Sequence, residues 1–171
     1  MIKAIIFDFD GVIVKSVNIK TEAFAEIYRT YGPKVVEKVV KHHLVNSGIS
    51  RFEKFRFYHR EFLGRELSDD GLSEITDQFS RLVTQQVIEA SYVEGAIEFI
   101  KSNYTSFDLF ISSATPENEL REIIEKRKIS RYFKEIFGSP GKKSDHIKKI
   151  LRRYSYDQSE VVFVGDATND K

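Results

Sequence analysis

Asp8 and Asp10 stand two residues apart at the end of the apolar run Ala4-Ile5-Ile6-Phe7, and Gly11 follows them. Alternation along a strand sends both carboxylates to one side of the tip and Phe9 to the other. Two acids a few ångströms apart raise each other's pKa unless a cation lies between or beside them. A divalent metal with a nucleophile or an acid–base pair accounts for the arrangement economically. An Asp-Gly turn closing a hairpin is the alternative that the same residues allow.

Three further clusters follow apolar runs. Ile111-Ser112-Ser113-Ala114 leads into Thr115-Pro116, which predicts Thr115 as N-cap and Pro116 as first helical residue. Ser113 and the Ala114 amide then lie at a helix mouth, where hydroxyls and free amides suit a phosphate. Ordinary capping explains the same residues. In Gly141-Lys142-Lys143-Ser144-Asp145, Ser144 is the expected N-cap, which leaves Lys143 just before a helix. A lysine there can neutralise a phosphate and a nearby carboxylate, although a Lys-Lys pair in such a loop is commonly just solvated. The last cluster, Gly165-Asp166-Ala167-Thr168-Asn169-Asp170, is again a strand running into acids.

The elements that position these clusters are legible from hydrophobic period. Four short apolar runs, at 4–7, 109–112, 135–137 and 161–165, read as buried strands. Helical patterns alternate with the later ones: Leu120, Ile123, Ile124 and Ile129 in one, Ile147, Ile150 and Leu151 in the next. That order predicts an α/β, Rossmann-like parallel sheet with its ligands at the strand C-termini. Between the first two strands lie about ninety residues without a strand pattern, far more than an ordinary crossover. They carry apolar stripes at Ala23, Phe24, Ile27, Tyr28, at Phe55, Tyr58, Phe62 and at Ile75, Phe79, Leu82, Val83. Breakers at Gly32-Pro33, 46–48 and 68–71 divide this region into about four helices. The expected organisation is an α/β core of 1–14 and 91–171 interrupted by a helical domain over 15–90.

Composition narrows the chemistry. The chain has 171 residues, 27 basic and 26 acidic side chains and no cysteine. Near-neutral charge gives no signal for nucleic acid or an anionic membrane, and the missing cysteines remove disulfides, zinc thiolates and thiol nucleophiles. No apolar run reaches the roughly 20 residues that span a bilayer. Met1-Ile2-Lys3 enters the first strand without a signal-peptide pattern. A cytoplasmic soluble protein is expected; nothing in the sequence speaks to oligomeric state. Taken together, the four clusters point to phosphoryl transfer, with Asp8 as candidate nucleophile, Asp10 as candidate acid–base and Mg²⁺ on hard oxygen ligands.

Phe7-Asp8-Phe9-Asp10-Gly11-Val12, with Ser113, Lys143 and Gly165-Asp166-Ala167-Thr168-Asn169-Asp170, resembles the haloacid dehalogenase superfamily, over nearly the whole chain. The resemblance implies Asp8 as nucleophile, Asp10 as acid–base and Mg²⁺ held by Asp8, Asp166 and the main-chain carbonyl of Asp10. It implies Asp170 orienting metal-bound water, phosphate held by Ser113 and the Ala114 and Gly11 amides, and Lys143 bridging phosphate and nucleophile, with Lys142 the alternative in register. A halide leaves without a proton whereas an alkoxide needs one, so Asp10 favours a phosphatase or phosphomutase over a dehalogenase. The helical insertion resembles the family's α-helical cap, which closes over the core and reads the substrate. Lys15 stands where many relatives carry an acid. Relatives continue beyond Asp170 through at least another helix and strand, so the core is expected to lack its C-terminal part and the strand at 161–165 to be an exposed edge.

Gly48-Ile49-Ser50-Arg51 resembles a cap loop of the β-phosphoglucomutase branch. Ser50 and Glu53 form a capping-box pattern, placing Arg51 and Lys54 on neighbouring positions of a helix's first turn. Both are candidate contacts to the substrate's anionic or hydroxyl-rich part; a solvated basic face is the alternative. His42-His43 reads as an exposed helix pair. The leading expectation is a Mg²⁺-dependent phosphatase acting on a small phosphorylated metabolite through an aspartyl phosphate. A sugar phosphomutase, a phospho-receiver switch and an inactive truncated homologue are the alternatives.

Overall fold

The structure is a computed structural model and describes residues 1–166. Four parallel strands, β1 (Ala4–Phe7), β2 (Asp108–Pro116), β3 (Glu135–Ser139) and β4 (Val161–Val164), form one sheet in the order β3-β2-β1-β4. The α/β class with a parallel sheet is therefore as the sequence predicts. Alternate residues of β1 feed two cores. Ile5 and Phe7 join Leu109, Ile111 and Ile136 on one face, while Ala4 and Ile6 join Phe110, Phe137 and Ile150 on the other. Burial on both faces is why β1 reads as an unbroken apolar run. β3 and β4 are the edge strands among the described residues, and β4 has Val162 and Val164 exposed.

β2 runs four residues past its expected end. Ser113 and Thr115 continue the strand alternation as polar residues, so hydropathy stops where the strand does not. The residue after β1 is tied to its neighbour: Asp8 N–H donates to the Val164 carbonyl at 2.9 Å.

Helices α1 (Val17–Tyr28), α2 (Pro33–Val45), α3 (Arg51–Leu63) and α4 (Asp69–Glu89) fill the long connection. Their ends match the expected breakers, except that Ser68 starts α4 rather than merely separating helices: its Oγ accepts from the Gly71 amide at 3.2 Å. Phe24 is the hub of this unit. Its ring lies 4.5 Å from Phe79, 5.3 Å from Phe55 and 5.8 Å from Tyr58, geometry worth about 0.5–1.5 kcal/mol per pair beyond burial. The chain enters and leaves the helical unit along two adjacent segments: Lys15 N–H donates to Ser91 O at 2.9 Å and Val93 N–H to Ile13 O at 3.0 Å. No helix among the described residues is long and apolar enough to cross a membrane.

A short helix absent from the sequence reading, α5 (Ala96–Asn103), precedes β2, with only Ile97 and Ile100 buried. α6 (Glu117–Lys126) and α7 (Lys143–Tyr154) complete the crossovers. Ile129 is buried beyond the end of α6 rather than on its stripe. The Arg127 guanidinium donates to the carbonyls of Val87, Ile88 and Ala90, satisfying the C-terminus of α4 from the sheet side.

Candidate active site

The first strand's tip divides its two carboxylates between different partners. Asp8 is buried; its Oδ1 accepts the Phe9 amide at 2.6 Å and its Oδ2 accepts from Lys143 Nζ at 2.5 Å. Asp10 turns toward α1 and β2. Its Oδ1 accepts from Ser16 Oγ at 2.6 Å, and its Oδ2 accepts from Lys20 Nζ at 2.5 Å and Thr115 Oγ1 at 3.0 Å. Burial alone would raise the Asp10 pKa, but Lys20, aided by the Ser16 and Thr115 hydroxyls, holds it below the usual carboxylate range.

Local sequence explains this arrangement. Ser16 is the N-cap of α1 yet makes no side-chain cap bond, because its hydroxyl serves Asp10. Lys20 lies one helical turn on, so both project from one face. Lys20 Nζ also donates to Thr115 Oγ1 at 2.7 Å. Ser16, Lys20 and Thr115 are absent from the sequence-predicted set. The i, i+4 spacing of Ser16 and Lys20 and the i, i+2 spacing of Ser113 and Thr115 were the available signals.

Several expected placements differ. Pro116, not Thr115, is the N-cap of α6, so Ser113 and Ala114 lie within β2 rather than at a helix mouth. Thr115 is held in the strand by Asp10 and Lys20. Lys142, not Ser144, caps α7, since its carbonyl accepts from the Asp145 and His146 amides. Lys143 is consequently the first helical residue and reaches Asp8, whereas Lys142 is exposed. The Gly11 amide, expected to face a phosphate, donates to the Val14 carbonyl at 2.8 Å because the 9–14 loop folds back on itself. Gly11 is needed for another reason. Its φ is +77°, and an added Cβ would come within 2.1 Å of Asp166 Oδ2.

Asp8, Asp10, Ala114 and Asp166 line one cavity of about 40 Å³ together with Arg51 and Lys54. Ser113 is buried beside it, with Oγ 3.3 Å from Thr115 Oγ1. Asp170 lies outside the described residues.

Arg51 and Lys54 occupy the first turn of α3 behind the Ser50 cap, as predicted, but the solvated-face alternative is excluded: both are buried. Arg51 Nη1 and Nη2 donate to the two Glu119 carboxylate oxygens at 2.9 and 2.6 Å. Lys54 Nζ lies 2.9 Å from His43 Nδ1. Burial first, then Lys20, Arg51 and Lys143, brings the Lys54 pKa down to about 7, against an opposing pull from Asp10. His43 is therefore not part of an exposed pair. It is buried against Phe24, with ring centroids 4.8 Å apart, because the Lys54 amine provides a polar partner inside.

His43 gives the fold a pH dependence. Burial, then Lys54 and Lys20, lowers its pKa from 6.5 to about 3. Between those values the unfolded chain holds a proton that the folded chain does not, so stability falls as pH drops below 6.5, by up to about 1.4 kcal/mol per pH unit. Urea midpoints between pH 7 and 4 should show a flatter dependence for His43→Gln than for the unsubstituted chain. Equal slopes would exclude His43 as a source.

Hard oxygen donors suit Mg²⁺. Among the described residues no three His, Cys, Asp or Glu side chains converge as a metal site. The donors present are the Asp8 and Asp166 carboxylates, on adjacent strand ends around one cavity, and main-chain carbonyls of the same loops. Two carboxylates completed by carbonyls, phosphate and water fit that ion's habits.

A family model for haloacid dehalogenase-like hydrolases matches residues 5–171. The chain therefore belongs to the haloacid dehalogenase-like hydrolases. It is 26% identical over 187 residues to the phosphoglycolate phosphatase of Vibrio parahaemolyticus serotype O3:K6, covering 99% of this chain and 77% of that one. It is 24% identical to phosphoglycolate phosphatase 1 of Pseudomonas aeruginosa, spanning 98% of this chain but 64% of that protein's length. The fold is also that of β-phosphoglucomutase from Clostridium difficile, with a TM-score of 0.79 at 19% identity, covering 98% of this chain and 77% of the other. Family and named relatives together make the chain an enzyme of the phosphatase kind.

Proposed function

We propose that the protein is a Mg²⁺-dependent phosphatase that hydrolyses a short phosphate monoester through a phosphorylated Asp8. The observation that carries this reading is the separation of the two tip carboxylates. Asp8 is paired with Lys143 at 2.5 Å, while Asp10 is turned away and held by Ser16, Lys20 and Thr115. The two carboxylates thus face different partners.

In this reading Asp8 attacks phosphorus, and Lys143 offsets charge on the nucleophile and the transferring group. Ser113 and the Ala114 amide hold the phosphoryl oxygens. Asp10 passes a proton to the leaving oxygen and takes one from the water that cleaves the acyl phosphate. Lys20, bridging Asp10 and Thr115, fixes the orientation of that carboxylate. A Mg²⁺ ion held by Asp8, Asp166 and the Asp10 carbonyl would supply electrostatic screening of the phosphoryl charge. Residues 15–90 act as the cap that excludes water.

The named relatives favour hydrolysis of a small ester over the sugar phosphomutase reading, since both are phosphoglycolate phosphatases. The test is phosphate release from 2-phosphoglycolate and glucose 1-phosphate, with Mg²⁺ and then with EDTA. Release from the shorter ester should fall about 100-fold or more on chelation and return with Mg²⁺. Undiminished release in EDTA would contradict the metal assignment. Isomerised sugar phosphate without free phosphate would replace the phosphatase by the mutase.

A further inference from the structure

The cavity wall carries three cations, Lys20, Arg51 and Lys54, while Lys143 reaches the wall's Asp8, and all of these but Lys54 are matched by carboxylates. Lys143 pairs with Asp8, Lys20 with Asp10 and Arg51 with Glu119. The Arg51–Glu119 pair is set apart from the others because it joins α3 to α6 and its carboxylate does not line the cavity. Both side chains are almost fully buried, 4% and 8% exposed. The fork is bidentate, and Ser80 Oγ donates to Glu119 Oε2 at 2.6 Å while accepting from Arg51 Nη1 at 2.9 Å. The guanidinium carbon lies 4.4 Å from the centre of the Phe79 ring, fixing its plane. Lys54 differs: its hydrogen-bond partner is the neutral ring of His43, and no carboxylate among the described residues pairs with it.

We propose that Glu119 sets the charge of the substrate this site accepts, by holding both Nη groups of Arg51 and so leaving Lys54 as the group that meets the far end of the ester. The inference rests on the phosphatase reading above. A guanidinium whose charge is already met by a buried carboxylate offers less to a second anion, and releasing it would strand Glu119 in the interior without a counter-charge. The site thereby favours a monoester ending in a hydroxyl or one carboxylate and disfavours a bisphosphate, whose second phosphate would need more than one cation. Glu119 acts through Arg51 and is a positioning residue.

The test measures kcat and KM for 2-hydroxyethyl phosphate, 2-phosphoglycolate and propane-1,3-diol bisphosphate. Glu119→Gln keeps the shape and one acceptor but frees the guanidinium charge. Its KM for the bisphosphate should fall about tenfold, with kcat and the KM for hydroxyethyl phosphate within about twofold of the unsubstituted enzyme. Lys54→Met should raise KM for phosphoglycolate about tenfold and for hydroxyethyl phosphate by less, because a hydroxyl brings no charge for the ammonium to meet. The paired replacement Arg51→Met with Glu119→Leu removes the ion pair without stranding a charge, and should leave KM for phosphoglycolate within about twofold. A tenfold rise there would show Arg51 binding substrate directly and overturn the inference. So would a Glu119→Gln enzyme that turns over all three esters with unaltered preference. Phosphate release from none of them by the unsubstituted chain would instead overturn the phosphatase reading itself and, with it, this one.

Discussion

Asp8→Asn is expected to abolish phosphate release, lowering kcat/KM by about 10⁴-fold or more. An amide has no anionic oxygen to form the bond to phosphorus. Asp10 is the closest carboxylate in sequence, but Ser16, Lys20 and Thr115 hold it away from the Lys143 side of the tip. The substitution is nearly isosteric, so the Phe9 amide keeps an acceptor. Lys143 loses its ion pair with Asp8. A modest drop in Tm should therefore accompany the loss of turnover. Single-turnover phosphate release, with circular dichroism as the folding control, measures both. Activity within tenfold of the unsubstituted enzyme would remove Asp8 from the chemistry.

Asp10→Asn should be nearly as severe for alkyl esters and much milder for activated aryl ones. Positioned acid–base catalysis contributes about 10²–10⁴-fold, and an alkoxide leaving group needs all of it. p-Nitrophenolate departs without a proton, so its ester should lose only the part that Asp10 contributes to water attack. The ratio of the two losses is the informative quantity. Equal losses would mean that Asp10 shapes the site without moving a proton. Asn also lacks the charge that Lys20 faces, and Lys20, Ser16 and Thr115 would then be organised around an amide.

The parallel sheet and the tip residues were legible because a strand buried on both faces leaves an unbroken apolar run, and its end leaves a polar break. The same rule misplaced the end of β2: Ser113 and Thr115 are strand residues whose polarity serves the site, so a hydropathy boundary is not a structural one. Lys143 over Lys142 turned on one residue of helix register, fixed by where the Lys142 carbonyl begins to accept. The helical stripes were legible, but their consequences were not. Arg51 and Lys54 were placed correctly on the first turn of α3, yet their burial depends on Glu119 and His43, which lie 68 residues after and 11 residues before them. No local pattern encodes those pairings. The Gly11 amide's partner was not legible for a related reason, since the loop that uses it closes on itself through the Val14 carbonyl.

The most direct test is to trap the intermediate. Enzyme turning over 2-phosphoglycolate with Mg²⁺ would be quenched in acid and reduced with borohydride, which converts an acyl phosphate to the corresponding alcohol, and its peptides weighed. The account predicts homoserine at position 8 and unmodified aspartate at position 10. Steady turnover with no reduction product at position 8, or with the modification at any other residue, would contradict it.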